Sequence, residues 1–136
     1  MAKIVQRNEI LYRAPARVGL LADVTERFLA RNVNILGIRA YEENGDGVFL
    51  IYADDSRAAS EAIKNMNEGE MRIVPVISAL LPNRPGELNA LATALANANI
   101  NITQVHATGA AGADTEVILT TDDNVRAIDV LMTLKV

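Results

Sequence analysis

Apolar residues recur with a helical period between Pro82 and Ile102. Their spacings of three, four and three residues place them on one side of a short helix, which can pack on a sheet. These positions are Leu88, Leu91, Leu95 and Ala98. After them, the run N-I-N-I at residues 99–102 closes the helix and opens a β-branched strand. The pattern therefore predicts a unit made of a loop, a helix, a turn and a strand.

Pro85 and Gly86 stand where this helix is expected to begin. Proline suits a first turn because its missing N–H would have no intrahelical partner there, and glycine allows a tight turn and a close approach to the backbone. The N–H groups of a first turn also lie at the positive end of the helix dipole. An uncovered helix start of this kind favours an anion such as a carboxylate.

The same pattern occurs earlier in the chain. A shift of 67 residues places Pro15 on Pro82, Arg17 on Arg84 and Gly19 on Gly86. The same shift matches the core positions and the helix exit, where Asn32, Asn34 and Ile35 fall on Asn99, Asn101 and Ile102. Turn, core and exit match together, which indicates an internal duplication of one small unit.

The remaining pattern predicts the order βαββαβ. In the first copy, strands are expected at residues 3–13, 34–41, 48–53 and 71–76, with one helix over residues 17–32 and a second after Asp54 and Asp55. The inner side of the first helix is expected to carry Leu21, Val24, Phe28 and Leu29. Residues 48–53 are apolar on both faces, which is typical of a central strand.

The second copy repeats strands at residues 77–81, 101–108 and 115–120, a hairpin turn at residues 109–113, and a last helix over residues 124–132. We therefore expect an α+β protein of two ferredoxin-like βαββαβ domains, with antiparallel sheets and helices on one face. The domains are placed at residues 1–76 and 77–136. The fourth strand of the second domain is expected to be short or missing, and residues 3–7, from the same chain or from a partner, are expected to pair along the edge that it leaves.

Composition narrows the class of protein. The net charge is −4 with charges of both signs scattered through 136 residues, so a polybasic surface for nucleic acid or membrane is not expected. Cysteine is absent, which excludes disulfides and thiolate metal sites. No apolar run approaches the roughly twenty residues of a membrane span, and the N-terminus has no signal-peptide core. We expect a soluble cytoplasmic protein.

Few residues suggest catalysis. The single histidine, His106, lies on a predicted strand, on the face away from the helices. The main interpretation is a polar residue at the surface or at an interface, and the alternatives are a ligand contact and a general base. The pairs Asp54-Asp55 and Asp122-Asp123 precede helices and are interpreted as N-caps and not as metal ligands. No cofactor and no metal are expected.

Two further patterns have alternative interpretations. Phe49 and Tyr52 lie on a strand that loosely resembles the base-stacking strand of RNA-binding modules, but they point to opposite faces and lack flanking basic residues. The run G-A-A-G-A-D at residues 109–114 joins two predicted strands, so it is interpreted as a hairpin and not as a phosphate-binding loop.

The run N-R-P-G-E-L at residues 83–88, followed by I-N-I at residues 100–102 in a duplicated βαββαβ order, resembles the ACT domain. ACT domains are small regulatory modules that bind amino acids at domain interfaces. The second copy is similar to the serine-sensing ACT domains of phosphoglycerate dehydrogenases, and the whole chain resembles stand-alone bacterial proteins of two ACT domains.

The resemblance implies that the ligand is held by the loop asparagine, here Asn83, and by the strand-entrance asparagine, here Asn101 and, in the first copy, Asn34. The family's loop histidine falls on Leu81, so serine specificity does not carry over, and Ala16 and Val18 depart from the motif in the first copy. The candidate ligand-binding residues are Asn83, Arg84, Pro85, Gly86, Glu87, Leu88 and Asn101 in the second copy, with Arg17, Gly19, Leu20 and Asn34 in the first.

The resulting hypothesis is a non-enzymatic regulatory protein that senses a free amino acid at an interface between ACT domains and forms a homodimer. The alternative is a regulatory subunit whose main role is to bind a separate biosynthetic enzyme, with any ligand secondary. A third possibility is a small lyase or isomerase that uses His106. Nucleic-acid and membrane partners are not expected.

Overall fold

A computed structural model describes residues 3–109 and 114–134 of the protein. These residues form six strands and four helices in the order βαββαβαββα. The strands are β1 (Lys3–Pro15), β2 (Ile35–Glu43), β3 (Asp46–Ala53), β4 (Glu70–Leu81), β5 (Ile102–Gly109) and β6 (Thr115–Thr121). The helices are α1 (Leu20–Ala30), α2 (Ser56–Ile63), α3 (Glu87–Asn97) and α4 (Asn124–Met132). The hairpin turn was expected at residues 109–113, of which residues 110–113 lie outside the described residues.

Contacts divide the chain into two compact units. The first unit is formed by residues 8–74, and the second by the described residues among 1–7 and 75–136. The sequence pattern had placed residues 1–76 in one domain, whereas the contacts group residues 3–7 with the second unit. Strands β1 and β4 are each long enough to contribute to both units, since they have 13 and 12 residues.

In the first unit, β3 lies between β1 and β2 and pairs antiparallel with both. Helices α1 and α2 pack on one face of these strands around a core that includes Ile10, Tyr12, Phe49 and Ile51. The side chains of β3 are buried on both faces from Gly47 to Ala53, as the double-sided apolar pattern predicted.

In the second unit, β6 lies between β4 and β5, again with antiparallel pairing, and β4 is also a neighbour of β1. Helices α3 and α4 pack on one face around Leu91, Leu95 and Leu131. Ile4 of β1 packs against the same core. The segment formed by residues 3–7 therefore belongs to this unit.

The start of α1 differs from the expected one. Gly19 has a φ of +85° and ends the preceding turn, so the helix begins at Leu20 and not near Arg17. The buried side chains are consequently Leu20, Val24 and Phe28, four residues apart. Leu21 and Leu29, which the sequence placed on the inner side, are 49% and 78% exposed because each lies one residue further round the helix. The expected inner position of these two residues is wrong.

The expected caps of α2 and α4 are confirmed for the second aspartate of each pair. The Asp55 carboxylate accepts from the Ala58 N–H at 3.0 Å, and the Asp123 carboxylate accepts from the Arg126 N–H at 3.1 Å. Such bonds satisfy helix N–H groups that have no intrahelical partner.

The first aspartate of each pair has a different role from the cap that the sequence suggested. Asn34 N–H donates to Asp54 Oδ1 at 3.1 Å, and Asp54 N–H donates to the Asn34 carbonyl at 3.0 Å. In the second unit, Asn101 and Asp122 make the same two bonds, at 3.2 and 3.0 Å. These aspartates fix the entrance of the adjacent strand, β2 or β5.

The described helices are short, and α1 and α3 have 11 residues each. Among residues 3–109 and 114–134, no helix combines the length and the apolar character needed to cross a bilayer.

We predict that Asp55→Ala and Asp123→Ala each lower the free energy of unfolding by about 1 kcal/mol, because each removes the side-chain acceptor of a helix N-cap. Urea unfolding followed by circular dichroism measures the change. Asp129→Ala, on the exposed side of α4, is the control and should leave the stability nearly unchanged. Equal stabilities of the capping variants and the control would contradict the role of the caps.

We also predict that deleting residues 1–7 lowers the melting temperature, because it removes a strand segment and the Ile4 side chain from the second unit. Ile4→Ala should cost about 1 kcal/mol, less than a fully buried isoleucine, since Ile4 is only partly buried. Ile73→Ala, at a 50% exposed position, is the matched control. An unchanged melting temperature after the deletion would show that residues 3–7 contribute nothing.

Candidate functional site

The loop between β4 and α3 makes a tight turn before the helix. Arg84 N–H donates to the Pro82 carbonyl at 3.0 Å, and Gly86 has a φ of +92°, a conformation that residues with a Cβ rarely adopt. Gly86 is the N-cap of α3, and no side chain caps the helix. The loop therefore reaches the helix start without placing a side-chain acceptor over its first turn.

A cavity of about 160 Å³ lies beside this loop. The loop and the first turn of α3 form one side, and β5 and β6 form the other. The lining residues are Leu81, Pro82, Asn83, Arg84, Glu87, Leu88, Ala107, Thr115 and Val117. Most of the wall is apolar, and a few polar groups lie along it, which is the usual composition of a small-molecule site. The cavity is smaller than the roughly 300 Å³ at which drug-sized pockets begin.

Arg84 and Glu87 form an ion pair at the cavity. Arg84 Nε donates to Glu87 Oε1 at 2.5 Å. The Glu87 side chain is only 13% exposed, whereas that of Arg84 is 59% exposed. The carboxylate therefore belongs to the wall and the guanidinium to the rim, so the cavity presents both signs of charge next to the helix start.

The structure brings most of the candidate residues of the second copy together. Asn83, Arg84, Glu87 and Leu88 line the cavity, and Leu88 is 49% exposed instead of buried in the core. Sequence reasoning missed Ala107, Thr115 and Val117, which complete the wall from β5 and β6. The repeat shift offered no signal for them, because their position depends on strand register.

Asn101 lies elsewhere in the second unit. It lines a different hollow of about 280 Å³ with Asn99, Ile100 and Asp122. The Asn101 backbone is held by hydrogen bonds to Asp122. Asn101 is exposed, as is Asn34 at the corresponding position of the first unit. Within its own unit, Asn101 does not line the loop cavity.

The corresponding loop of the first unit also turns at a glycine with a positive φ, but its side chains differ. Gly19 has a φ of +85°, as Gly86 does, yet Leu20 after it is 4% exposed and belongs to the core. Arg17 donates through Nε and Nη2 to the two Glu68 oxygens, both at 2.7 Å, and through Nη2 to Asp23 at 2.6 Å. Its guanidinium is thus held by two carboxylates of its own unit.

A groove of about 340 Å³ in the first unit is lined by Asp23, Glu26 and Glu68 together with Arg27. Two of these carboxylates, Asp23 and Glu68, are already paired with the Arg17 guanidinium. Among the described residues, no group of three or more His, Cys, Asp or Glu residues is arranged so that it could hold a metal ion.

His106 lies on β5 opposite Ile118 of β6. Val117 and Leu119, on either side of Ile118, face the helices. Ile118 and its partner His106 therefore lie on the opposite face of the sheet, as predicted. Phe49 and Tyr52 are 4% and 6% exposed, which leaves neither ring available to stack on a base and argues against the RNA-binding alternative.

Residues 75–133 match the family model described as the ACT domain. The match covers the loop, α3, β5, β6 and α4, and hence the whole loop cavity. No curated protein matches the sequence.

Several solved structures share the fold over nearly the whole chain. Protein BT0572 from Bacteroides thetaiotaomicron is 21% identical, with a TM-score of 0.87 and coverage of 96% of this chain and 89% of that one. The ligand-free regulatory subunit of aspartate kinase from Thermus thermophilus is 16% identical, with a TM-score of 0.63 and coverage of 96% and 95%. The corresponding subunit from Thermus flavus is 14% identical, with a TM-score of 0.62 and coverage of 98% and 93%. The chain therefore has an α+β fold with antiparallel strand pairing and an ACT-like βαββαβ pattern.

The ion pair of Arg17 with Glu68 has a consequence for acid stability. The hydrogen bonds from Arg17 lower the pKa of Glu68 below its usual range. A carboxyl with a lowered folded-state pKa adds stability above its unfolded pKa, and this stability is lost as the pH falls through the folded pKa.

We predict that Glu68→Gln is less stable than the parent at neutral pH and that the difference disappears in acid. Urea unfolding at neutral pH and at a pH below the folded pKa of Glu68 measures both. Glu26→Gln, an exposed neighbour on α1, is the control. A stability difference that stays constant across this pH range would show that the charge of Glu68 is not responsible.

Proposed function

We propose that the protein is a non-enzymatic regulatory protein that binds a free amino acid in the cavity beside Pro82–Leu88. The cavity itself is the observation that carries the proposal, because it lies at the loop of the segment that matches the ACT domain. The similarity in fold to regulatory subunits of aspartate kinase supports a regulatory role over a catalytic one.

The groups of the cavity are complementary to an amino acid. The uncapped first turn of α3 offers N–H donors and a favourable dipole to the carboxylate. The Glu87 carboxylate, mostly buried in the wall, offers an acceptor for the ammonium group. Leu81, Leu88 and Val117 form an apolar surface for the side chain. A volume of about 160 Å³ favours a small effector and excludes a nucleotide.

The amide contacts expected from the strand entrance need a second ACT domain. Asn101 lines a separate hollow in its own unit, so we propose that a second copy of the chain supplies it to the loop cavity in a homodimer. Binding energy gained at such an interface would favour one arrangement of the two copies over others by the difference in affinity. Asn34, the strand-entrance asparagine of the first unit, is a second candidate for this amide contact.

We further propose that the first unit is a second, diverged ACT domain. The two units share the positive φ of Gly19 and Gly86, and the same paired bonds between strand-entrance asparagine and aspartate. A cytoplasmic location, expected from the sequence, fits a sensor of free amino acids.

The second candidate function is that of a regulatory subunit for a separate enzyme, with any ligand secondary. Its support is the similarity in fold to regulatory subunits, which by name belong to a kinase assembly. Purification of the native protein separates the two candidates. A biosynthetic enzyme that co-purifies and stays bound in amino-acid-free buffer would favour this second function.

We predict that one or a few of the twenty common L-amino acids raise the melting temperature of the protein, because a ligand that binds only the folded state stabilises it by mass action. Gly86→Val and Asn101→Ala should each weaken that binding about tenfold or more in calorimetric titrations. Valine at position 86 would have to adopt a positive φ, which is strained for a residue with a Cβ, so part of the effect of this substitution is on stability.

Gly45→Val is the matched control for Gly86→Val. Gly45 has a φ of +83° and open space around it, so the strain is comparable, but it lies in the hairpin between β2 and β3. Parent-like binding by both Gly86→Val and Asn101→Ala, in folded proteins, would place the site elsewhere and make the loop structural only.

A further inference from the structure

We infer that only the second unit admits an effector at its loop, so that each chain binds one amino acid there, and that Leu20 and Phe49 close the corresponding place in the first unit. The inference rests on the proposed function and adds to it the number of sites and the residues that set that number.

Strand register identifies the corresponding positions. Ala14 pairs with Gly47 in the first unit, and Leu81 pairs with Thr115 in the second. Two residues further along the same strands, Phe49 therefore corresponds to Val117. At the helix start, Leu20 follows Gly19 as Glu87 follows Gly86.

Larger apolar side chains fill this place in the first unit. A Cβ added to Gly47 would lie 2.8 Å from Leu20 Cδ2 and 3.4 Å from Phe49 Cε1, so the space above Gly47 is already occupied. Leu20 and Phe49 are each 4% exposed and belong to the same core. In the second unit, the smaller Val117 and the polar Glu87 stand at these positions, and they line the cavity of about 160 Å³.

The ion pairs at the two loops also make the first loop less available to a ligand than the second. Arg17 is held by both oxygens of Glu68 and by Asp23, so an effector carboxylate would have to compete with two carboxylates already in place. Arg84 pairs with Glu87 alone among the described ion pairs and is 59% exposed. Side-chain packing and charge pairing thus both close the first loop and leave the second open.

Calorimetric titration of the purified chain tests the inference, with the common L-amino acid that gives the largest rise in melting temperature as the probe. We expect one molecule bound per chain. Glu87→Leu introduces at the second loop the side chain that closes the first, so it should weaken binding about tenfold or more while the melting temperature stays near that of the parent. Glu26→Leu, an exposed position on α1, controls for the loss of a helix carboxylate.

Two molecules bound per chain would overturn the inference and leave the proposed function intact. Binding by Glu87→Leu at the parent affinity would also overturn it, because a leucine at that position would then not close the cavity. If no amino acid raises the melting temperature or gives a titration signal, the proposed function fails and the inference with it.

Discussion

The left-handed backbone of Gly86 is the constraint on which the candidate site depends. A residue with a Cβ at a φ of +92° would be strained, and a capping side chain would place its own oxygen over the first turn of α3. Glycine avoids both, so the chain turns into the helix and leaves the helix start uncapped. The loop then stands away from β5 and β6, and the cavity occupies the space between them.

The two units show how one backbone can carry two different surfaces. Gly19 and Gly86 share a positive φ, and the bonds of Asp54 to Asn34 recur between Asp122 and Asn101. The backbone is thus fixed by glycine and by hydrogen bonds, which leaves the side chains beside the loop to decide whether the space is filled. Burying a leucine contributes about 1.5–3 kcal/mol, so Leu20 stabilises the first unit, whereas Glu87 at the corresponding position of the second unit lines the cavity.

Local chemistry explains how much of this could be predicted from the sequence. Asp55 and Asp123 were recognised as caps, and β3 as a central strand, because these features depend on a few adjacent residues. The inner side of α1 could not be placed correctly, because Leu20 and Leu21 both have a helical spacing to Val24 and Phe28, and only packing in the folded unit selects Leu20 and leaves Leu21 and Leu29 exposed.

The walls of the cavity depend on contacts that are distant in sequence. Ala107, Thr115 and Val117 meet the loop only because β4, β5 and β6 adopt one particular register, which a repeat of 67 residues does not specify. The exposed position of Leu88 has the same origin. Its spacing fitted a helical core stripe, and only the distance between the helix start and the sheet shows that it lines a cavity.

The second unit is discontinuous in sequence, and this adds to the chain entropy that its folding must overcome. Residues 8–74 lie between its two parts, and closing a flexible loop of that length costs on the order of 4 kcal/mol in chain entropy. Strands β1 and β4 are neighbours in the sheet, and their pairing offsets part of this entropy cost because it holds the two ends of the loop together.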